Sequence, residues 1–219
     1  MLMHVINIGH DILEANSRLA NKNRNLLNAN NIFALNIMGA IGSGKTTLIE
    51  EAIKQLKDCF EIAVIAGDIV AEIDAARFEK LDVKVVPVNT GRECHLDAKL
   101  IEKSLEQIDL KNTDLLFIEN VGNLICPVDY MLGKHVRVVI VSVSEGDDIV
   151  QKHPMIFRNS NLALINKTDI AEAVSSSLLK MKEDVHKINP GIPVVLTSSR
   201  DMQSIHQWIE YIKSGLDAK

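Results

Sequence analysis

The chain has 219 residues, which fits one large domain or one domain with a small appendage. Apolar residues make up 47% and charged residues 24%, enough apolar surface to offset chain entropy and exclude wholesale disorder, and 11 Gly and 5 Pro exclude a collagen-like or low-complexity chain. The 24 Lys and Arg against 29 Asp and Glu leave a net charge of −5, and aromatics are 4%, so no nucleic-acid footprint and no affinity for an anionic membrane are expected.

The first thirty residues are rich in asparagine (positions 7, 16, 21, 23, 25, 28 and 30), with sparse apolar positions Ile12, Leu19 and Leu26 at near-helical spacing. This predicts a surface helix over Asp11–Leu27, outside the core, and a helical appendage spanning residues 1–30. The Met1–Ile8 stretch is too short for a signal peptide and lacks a basic n-region.

From residue 31 the pattern becomes regular. Short apolar runs read as buried strands at Ile32–Met38, Ile62–Ala66, Val83–Val88, Leu115–Glu119, Val136–Val143, Leu162–Ile165 and Pro193–Leu196. Helical periods fall at Thr46–Lys57, His95–Gln107, Asp169–Lys187 and Met202–Lys213. Strands apolar on both faces and alternating with helices predict an α/β fold with a largely parallel sheet and helices on both faces. The predicted domain covers residues 31–219. The best apolar run, Val136–Val143, contains Arg137 and falls short of the ~18 residues a spanning helix needs. Cys59, Cys94 and Cys126 are too few, and odd in number, for a disulfide framework, so the expected setting is a reducing one, the cytoplasm.

Directly after the first core strand stands Gly39-Ala40-Ile41-Gly42-Ser43-Gly44-Lys45-Thr46, a full match to GxxxxGK(S/T) with a strand before and a helix after. The glycines let successive backbone N–H groups point at a phosphate, and the helix start adds its positive dipole end. Lys45 is expected on the β- and γ-phosphates and the Thr46 hydroxyl on Mg²⁺, with Thr47 among the nucleotide contacts. The predicted fold is therefore a P-loop NTPase. Glu119 ends a neighbouring strand, with Gly122 three residues on. The pair resembles the Walker B strand and DxxG switch of GTPases with Glu in place of Asp, which keeps a hard anionic oxygen for magnesium. Gly122 is placed to offer its N–H to the γ-phosphate. Asp68, at the carboxyl end of the second strand, and Asp74, six residues further, are both candidates to hold a magnesium-bound water or orient the attacking one. The residues do not rank them, and a solvated helix face accounts equally for Glu72, Asp74 and Arg77.

Asn166-Lys167-Thr168-Asp169 follows a strand directly and matches NKxD, the guanine reader of GTPases. A carboxylate at Asp169 accepts from guanine's ring N–H and exocyclic amine, where adenine has no donor, and the Lys167 stem can cover the base. Ser198, beyond the last strand, lies where a second base-side loop is expected. Cys94-His95 and Cys126 form a thiol–imidazole set suited to zinc, nickel or copper, with Cys94-His95 read at the start of a helix. A buried cysteine beside an unrelated surface histidine is the competing reading. Three donors per chain fall short of the four of a closed zinc site, which a two-fold dimer would exceed.

Taken in order, the P-loop, Gly67-Asp68, Gly91-Arg92-Glu93-Cys94-His95-Leu96-Asp97-Ala98, Glu119-Asn120-Val121-Gly122-Asn123-Leu124-Ile125-Cys126-Pro127, Ser144-Glu145-Gly146-Asp147-Asp148 and Asn166–Asp169 resemble the nickel-insertion GTPases of nickel–iron hydrogenase maturation, relatives of urease accessory GTPases. The resemblance implies a GTP-dependent homodimer that binds nickel or zinc and delivers nickel to the hydrogenase large-subunit precursor with other maturation factors. It implies GTP/GDP and Mg²⁺ as nucleotide and ion. It also implies Cys94, His95 and Cys126 as metal ligands, and Lys152 as a residue reaching nucleotide from the partner subunit. The N-terminus offers only His4 and His10 where many relatives carry a Cys-rich nickel site or a His-rich store. A urease or cobalamin-enzyme accessory GTPase, and a small-molecule P-loop kinase, are the alternatives; the kinase leaves Asn166–Asp169 and the Cys-His pair unexplained.

Overall fold

In the computed structural model, residues 8–68, 71–91 and 93–219 are described, without the side chains of residues 8–10, 68 and 71–73. The elements run α1 (Ile8–Ala29), β1 (Phe33–Gly39), α2 (Lys45–Leu56), β2 (Ile62–Asp68), α3 (Ala71–Glu79), β3 (Lys84–Asn89), α4 (Ala98–Leu105), β4 (Leu115–Glu119), β5 (Val136–Ser142), α5 (Ile149–Lys152), α6 (Pro154–Arg158), β6 (Leu162–Asn166), α7 (Leu178–Ile188), β7 (Val194–Leu196) and α8 (Met202–Asp217). The strands form a seven-stranded sheet in the order β3-β2-β4-β1-β5-β6-β7, with every pairing parallel. β1 lies between β4 and β5, in register Ile37↔Glu119 and Gly39↔Ile140. Its carboxyl end is the place in an open α/β sheet where connections diverge to both sides and a ligand crevice forms.

Two-residue alternation divides the strand side chains between two faces. Leu35, Ile37, Val64, Phe117, Val138 and Ile140 pack with α2, α3 and α8, where the Trp208 indole donates to the Leu48 carbonyl at 3.1 Å. The opposite face carries two apolar clusters. Ala34, Ile65 and Ile118 lie with Leu27 of α1 and Ile101 of α4, and Met38, Val139 and Val141 lie with Phe157 and Val185. Residues of the same parity on the central strands, Asn36 and Arg137, are buried and polar, and the two clusters part there.

Three expectations change. The N-terminal helix does not lie outside the core: Ala20 and Leu27 are buried, as are Asn16 and Asn23. Its inner face is held largely by asparagines bonded to backbone, a pattern that hydropathy alone does not register. The predicted helix from His95 begins at Ala98, because the Asp97 carboxylate accepts the Leu100 N–H at 2.7 Å and so caps the helix there. Cys94 and His95 therefore sit in the preceding loop. The predicted Asp169–Lys187 helix is a short 3-10 turn at Thr168–Ile170 and then α7, which Ser177 caps. No described helix is long and apolar enough to cross a membrane.

Candidate functional site

Gly44 leads into α2 with φ 100°, and a Cβ there would collide with the Asn166 amide. Only glycine meets both the left-handed backbone and that close approach. Gly39, Ala40, Ile41, Gly42, Ser43, Gly44, Lys45 and Thr46 thus form the strand–loop–helix expected from the motif. Lys45 donates to the Gly39 and Ala40 carbonyls at 3.3 and 3.1 Å. A cavity of about 350 Å³ opens over the loop, lined among others by Lys45, Thr46, Thr47, Asp74, Arg77, Glu119 and Gly122. A larger cavity, about 540 Å³, lies between Phe33, His135, Tyr211 and Lys219. There His135 is already bonded to the Ala34 N–H and to Asn28, and Lys219 to two carbonyls. The smaller cavity has the chemistry of an anion site.

Glu119 faces the first turn of α2, and the Thr46 hydroxyl donates to its Oε1 at 2.7 Å. Its Oε2 is buried with no partner among the described residues. Burial pushes the carboxyl up to about 7, against the pull of the Thr46 hydrogen bond and the Lys45 charge. A buried carboxylate with an open oxygen beside a threonine hydroxyl is a donor set that fits a hard divalent cation such as Mg²⁺. Asp74 lies on α3 and lines the same cavity, with Oδ1 3.8 Å from Arg77 Nη1. Arg77 is forked onto Glu50 of α2, with Nε 3.0 Å from Oε1, and donates to Thr47 at 3.3 Å. Both residues line the cavity while remaining partly exposed to solvent. Asp68 ends β2 and its side chain lies outside the described residues, as does Arg92.

On the other side of the loop, Asn166 donates to the Ser43 carbonyl at 2.9 Å and accepts from Thr197 at 3.1 Å. Lys167 donates to the Gly42 carbonyl at 2.7 Å, and Ser198 donates to Asp169 Oδ1 at 2.6 Å. NKxD and Ser198 are therefore locked to the P-loop and to each other. Lys152 lies apart from the phosphate cavity and pairs with Asp148 at 2.6 Å on the surface.

The fold closes a sequence gap of more than thirty residues to bring Cys94 and Cys126 together. Cys94 Sγ donates to Cys126 Sγ at 2.8 Å and lies 3.9 Å from His95 Nδ1, and the donor atoms of the three residues all fall within 4.8 Å of one another. His95 stacks on Tyr130 at 3.8 Å between ring centroids. The Cys126 thiol and burial push the Cys94 thiol up, while burial pulls His95 down. Two sulfurs and one imidazole nitrogen suit a soft or borderline cation.

Two asparagines that sequence reasoning passed over connect this cluster to β1, the strand that leads into the P-loop. Asn123 donates its backbone N–H to the Gly39 carbonyl at 3.1 Å and its amide to the Cys94 carbonyl at 3.3 Å. Buried Asn120 accepts the Leu96 N–H at 3.1 Å and donates to Asn36 at 3.2 Å. Their signal in the sequence was proximity to Gly122; a Cβ on Gly122 would itself strike the Ile41 side chain of the P-loop.

The chain matches the CobW/HypB/UreG nucleotide-binding domain over residues 33–196. A probable hydrogenase maturation factor HypB of Methanocaldococcus jannaschii is 53% identical over 215 residues, covering 98% of this chain and 97% of that protein. The crystal structure of the hydrogenase maturation factor HypB from Archaeoglobus fulgidus superposes with a TM-score of 0.88 at 46% identity, over 93% of this chain and 99% of that one. A crystal structure of HypB from Helicobacter pylori in complex with nickel gives a TM-score of 0.88 at 35% identity, over 93% and 96% of the two chains.

Proposed function

The chain belongs to the CobW/HypB/UreG family, in its HypB branch, and from that membership we propose that it is a GTP-hydrolysing metallochaperone assisting nickel insertion into nickel–iron hydrogenase. Residues 31–219 act as the GTPase domain, and the helix α1 before them packs into its core. The working setting is the cytoplasm, with GTP-bound homodimers, the hydrogenase large-subunit precursor and other maturation factors as partners.

Lys45 and the P-loop N–H groups neutralise the phosphates, and Gly122 offers its N–H to the γ-phosphate. Thr46 and Glu119, with Asp74 in reach of the same cavity, would hold Mg²⁺, which when bound neutralises charge developing on the phosphate oxygens. Asp68 or Asp74 orients the attacking water. Asn166 braces the P-loop, Lys167 covers the base, and Asp169, fixed by Ser198, reads guanine. Lys152 reaches nucleotide across the dimer. Nickel is cargo, with zinc as the other cation these donors suit, and its ligands are Cys94, His95 and Cys126.

Within this reading, the coupling of nucleotide to metal rests on Asn123, whose two hydrogen bonds join the P-loop strand to the Cys94 loop. A γ-phosphate that orders the segment after Glu119 acts through this residue on the metal donors. Hydrolysis measured with GTP and ATP tests the enzyme assignment. Turnover with GTP alone is expected, lost in Lys45→Ala. In Asp169→Asn one acceptor becomes a donor, so preference moves toward xanthine nucleotide, each mismatched bond being worth roughly 1.5–3 kcal/mol. Equal use of ATP and GTP, or full turnover by Lys45→Ala, contradicts it.

A further inference from the structure

The asparagines of α1 have no place in the nucleotide chemistry, yet two of them are buried, Asn16 at 8% and Asn23 at 1% exposure. They stand seven residues apart, two helical turns, and so share a face. Asn16 accepts the Ala98 N–H on Oδ1 at 2.8 Å and donates from Nδ2 to the Met131 carbonyl at 2.9 Å. Asn23 donates from Nδ2 to the Ala98 carbonyl at 2.8 Å and to the Leu132 carbonyl at 3.3 Å. Each amide therefore bridges the same two segments, one just after His95 and one just after Cys126. The Ala98 N–H is an orphan donor of the first turn of α4, which gives Asn16 a partner that helix formation leaves open. Gly133, with φ 93°, brings the second segment close enough that a Cβ would press on the Ala20 carbonyl at 2.5 Å.

We infer that α1 is a clamp on the soft-metal site: Asn16 and Asn23 fix the loop bearing Cys94 and His95 against the loop bearing Cys126, and thereby set the separation of the three donor atoms. The inference rests on the proposed reading of those three residues as the nickel ligands. Asn120 and Asn123 grip the Cys94 loop at Leu96 and Cys94 from the nucleotide side. Asn16 and Asn23 grip it at Ala98 from the far side. The clamp is thus the fixed frame against which a nucleotide-driven shift of Asn120–Asn123 changes donor geometry. Asn16 and Asn23 are positioning residues, acting through the backbone of the ligand loops; Asn16 needs an amide that both donates and accepts, and Asn23 uses the two N–H donors of its amide.

The test is a nickel(II) titration of the full-length, GDP-loaded protein, following the thiolate-to-nickel charge-transfer absorption, with the thermal midpoint and GTP affinity measured in parallel. Loss of an outer-shell partner typically weakens metal binding by about 10- to 100-fold. Asn16→Ala and Asn23→Ala act one step further out, through backbone rather than on a ligand, so they are expected to weaken nickel binding by up to about 10-fold, the low end of that range, and to shift the absorption band, with GTP affinity unchanged. Asn21→Ala, exposed on the same helix, is expected to match wild type. Should the alanine variants not fold, Asn16→Asp, which keeps the acceptor for Ala98 and gives up the Met131 donor, is held to the same standard with a smaller loss. Variants whose thermal midpoint drops while nickel affinity and the band stay at wild-type values overturn the clamp alone. A Cys94→Ala protein that titrates like wild type overturns the metal reading, and the clamp with it.

Discussion

At Glu119 the cost of burial is visible as a shifted equilibrium, the carboxyl rising from 4.5 to about 7 mainly through loss of water. The native state then holds this proton more tightly than the unfolded chain does. Native stability in the nucleotide-free protein therefore falls as pH climbs from 4.5 to about 7, and the loss is complete above that window. At 1.36 kcal/mol per unit the drop is on the order of 3 kcal/mol. Glu119→Gln removes the titration, so the difference between wild type and variant in urea midpoints across this range isolates it. Parallel pH profiles for the two proteins contradict the assignment. The cost makes sense where a cation and nucleotide are to be received, because binding them favours the ionised form that folding alone penalises. Arg77 also lines this cavity, its charge held there by Glu50 and Asp74.

Among the elements, α1 departs furthest from what its sequence suggests. The sheet was legible because its strands are apolar on both faces, as covered parallel strands must be, and the P-loop and NKxD were legible because their chemistry fixes their spacing. Hydropathy could not reveal that Asn16 and Asn23 face inward, since their burial is balanced by backbone partners supplied from residues 98, 131 and 132. The helical start at Ala98 is set by a local contact, the Asp97 carboxylate capping the Leu100 N–H, which the apolar periodicity read from His95 onward does not register. The metal donors were readable as residue types, but their convergence depends on loops following different strands. Leu27, fully buried among Ile32, Ala34 and Leu132, gives this account a stability consequence. Leu27→Ala is expected to cost about 2–5 kcal/mol, the range for a buried leucine. Ile12, 52% exposed on the same helix, should change stability by no more than about 0.5 kcal/mol when replaced by Ala. Chemical denaturation of the two variants checks this, and equal effects contradict it.

On the scale of the whole molecule, nucleotide and metal regions meet at one end of the sheet. Cys126 follows Glu119 by seven residues and Gly122 by four, so in the proposed function the segment that senses the γ-phosphate runs directly into a metal donor. With three donors per chain, an isologous pairing of two copies is the simple way to complete a soft-metal site, since each copy offers the same patch to the other. On the proposed function, GTP favours the paired, metal-holding state and hydrolysis loosens it for release. Thermodynamic linkage requires the converse: if GTP raises metal affinity, metal raises GTP affinity by the same factor. The most direct measurement is nickel titration combined with sedimentation equilibrium, comparing a nonhydrolysable GTP analogue with GDP in wild type and in Cys94→Ala. The account predicts tighter nickel binding and a larger dimer fraction with the GTP analogue, with the nickel dependence lost in Cys94→Ala. Nickel affinity and dimer fraction that are both indifferent to the nucleotide would contradict it.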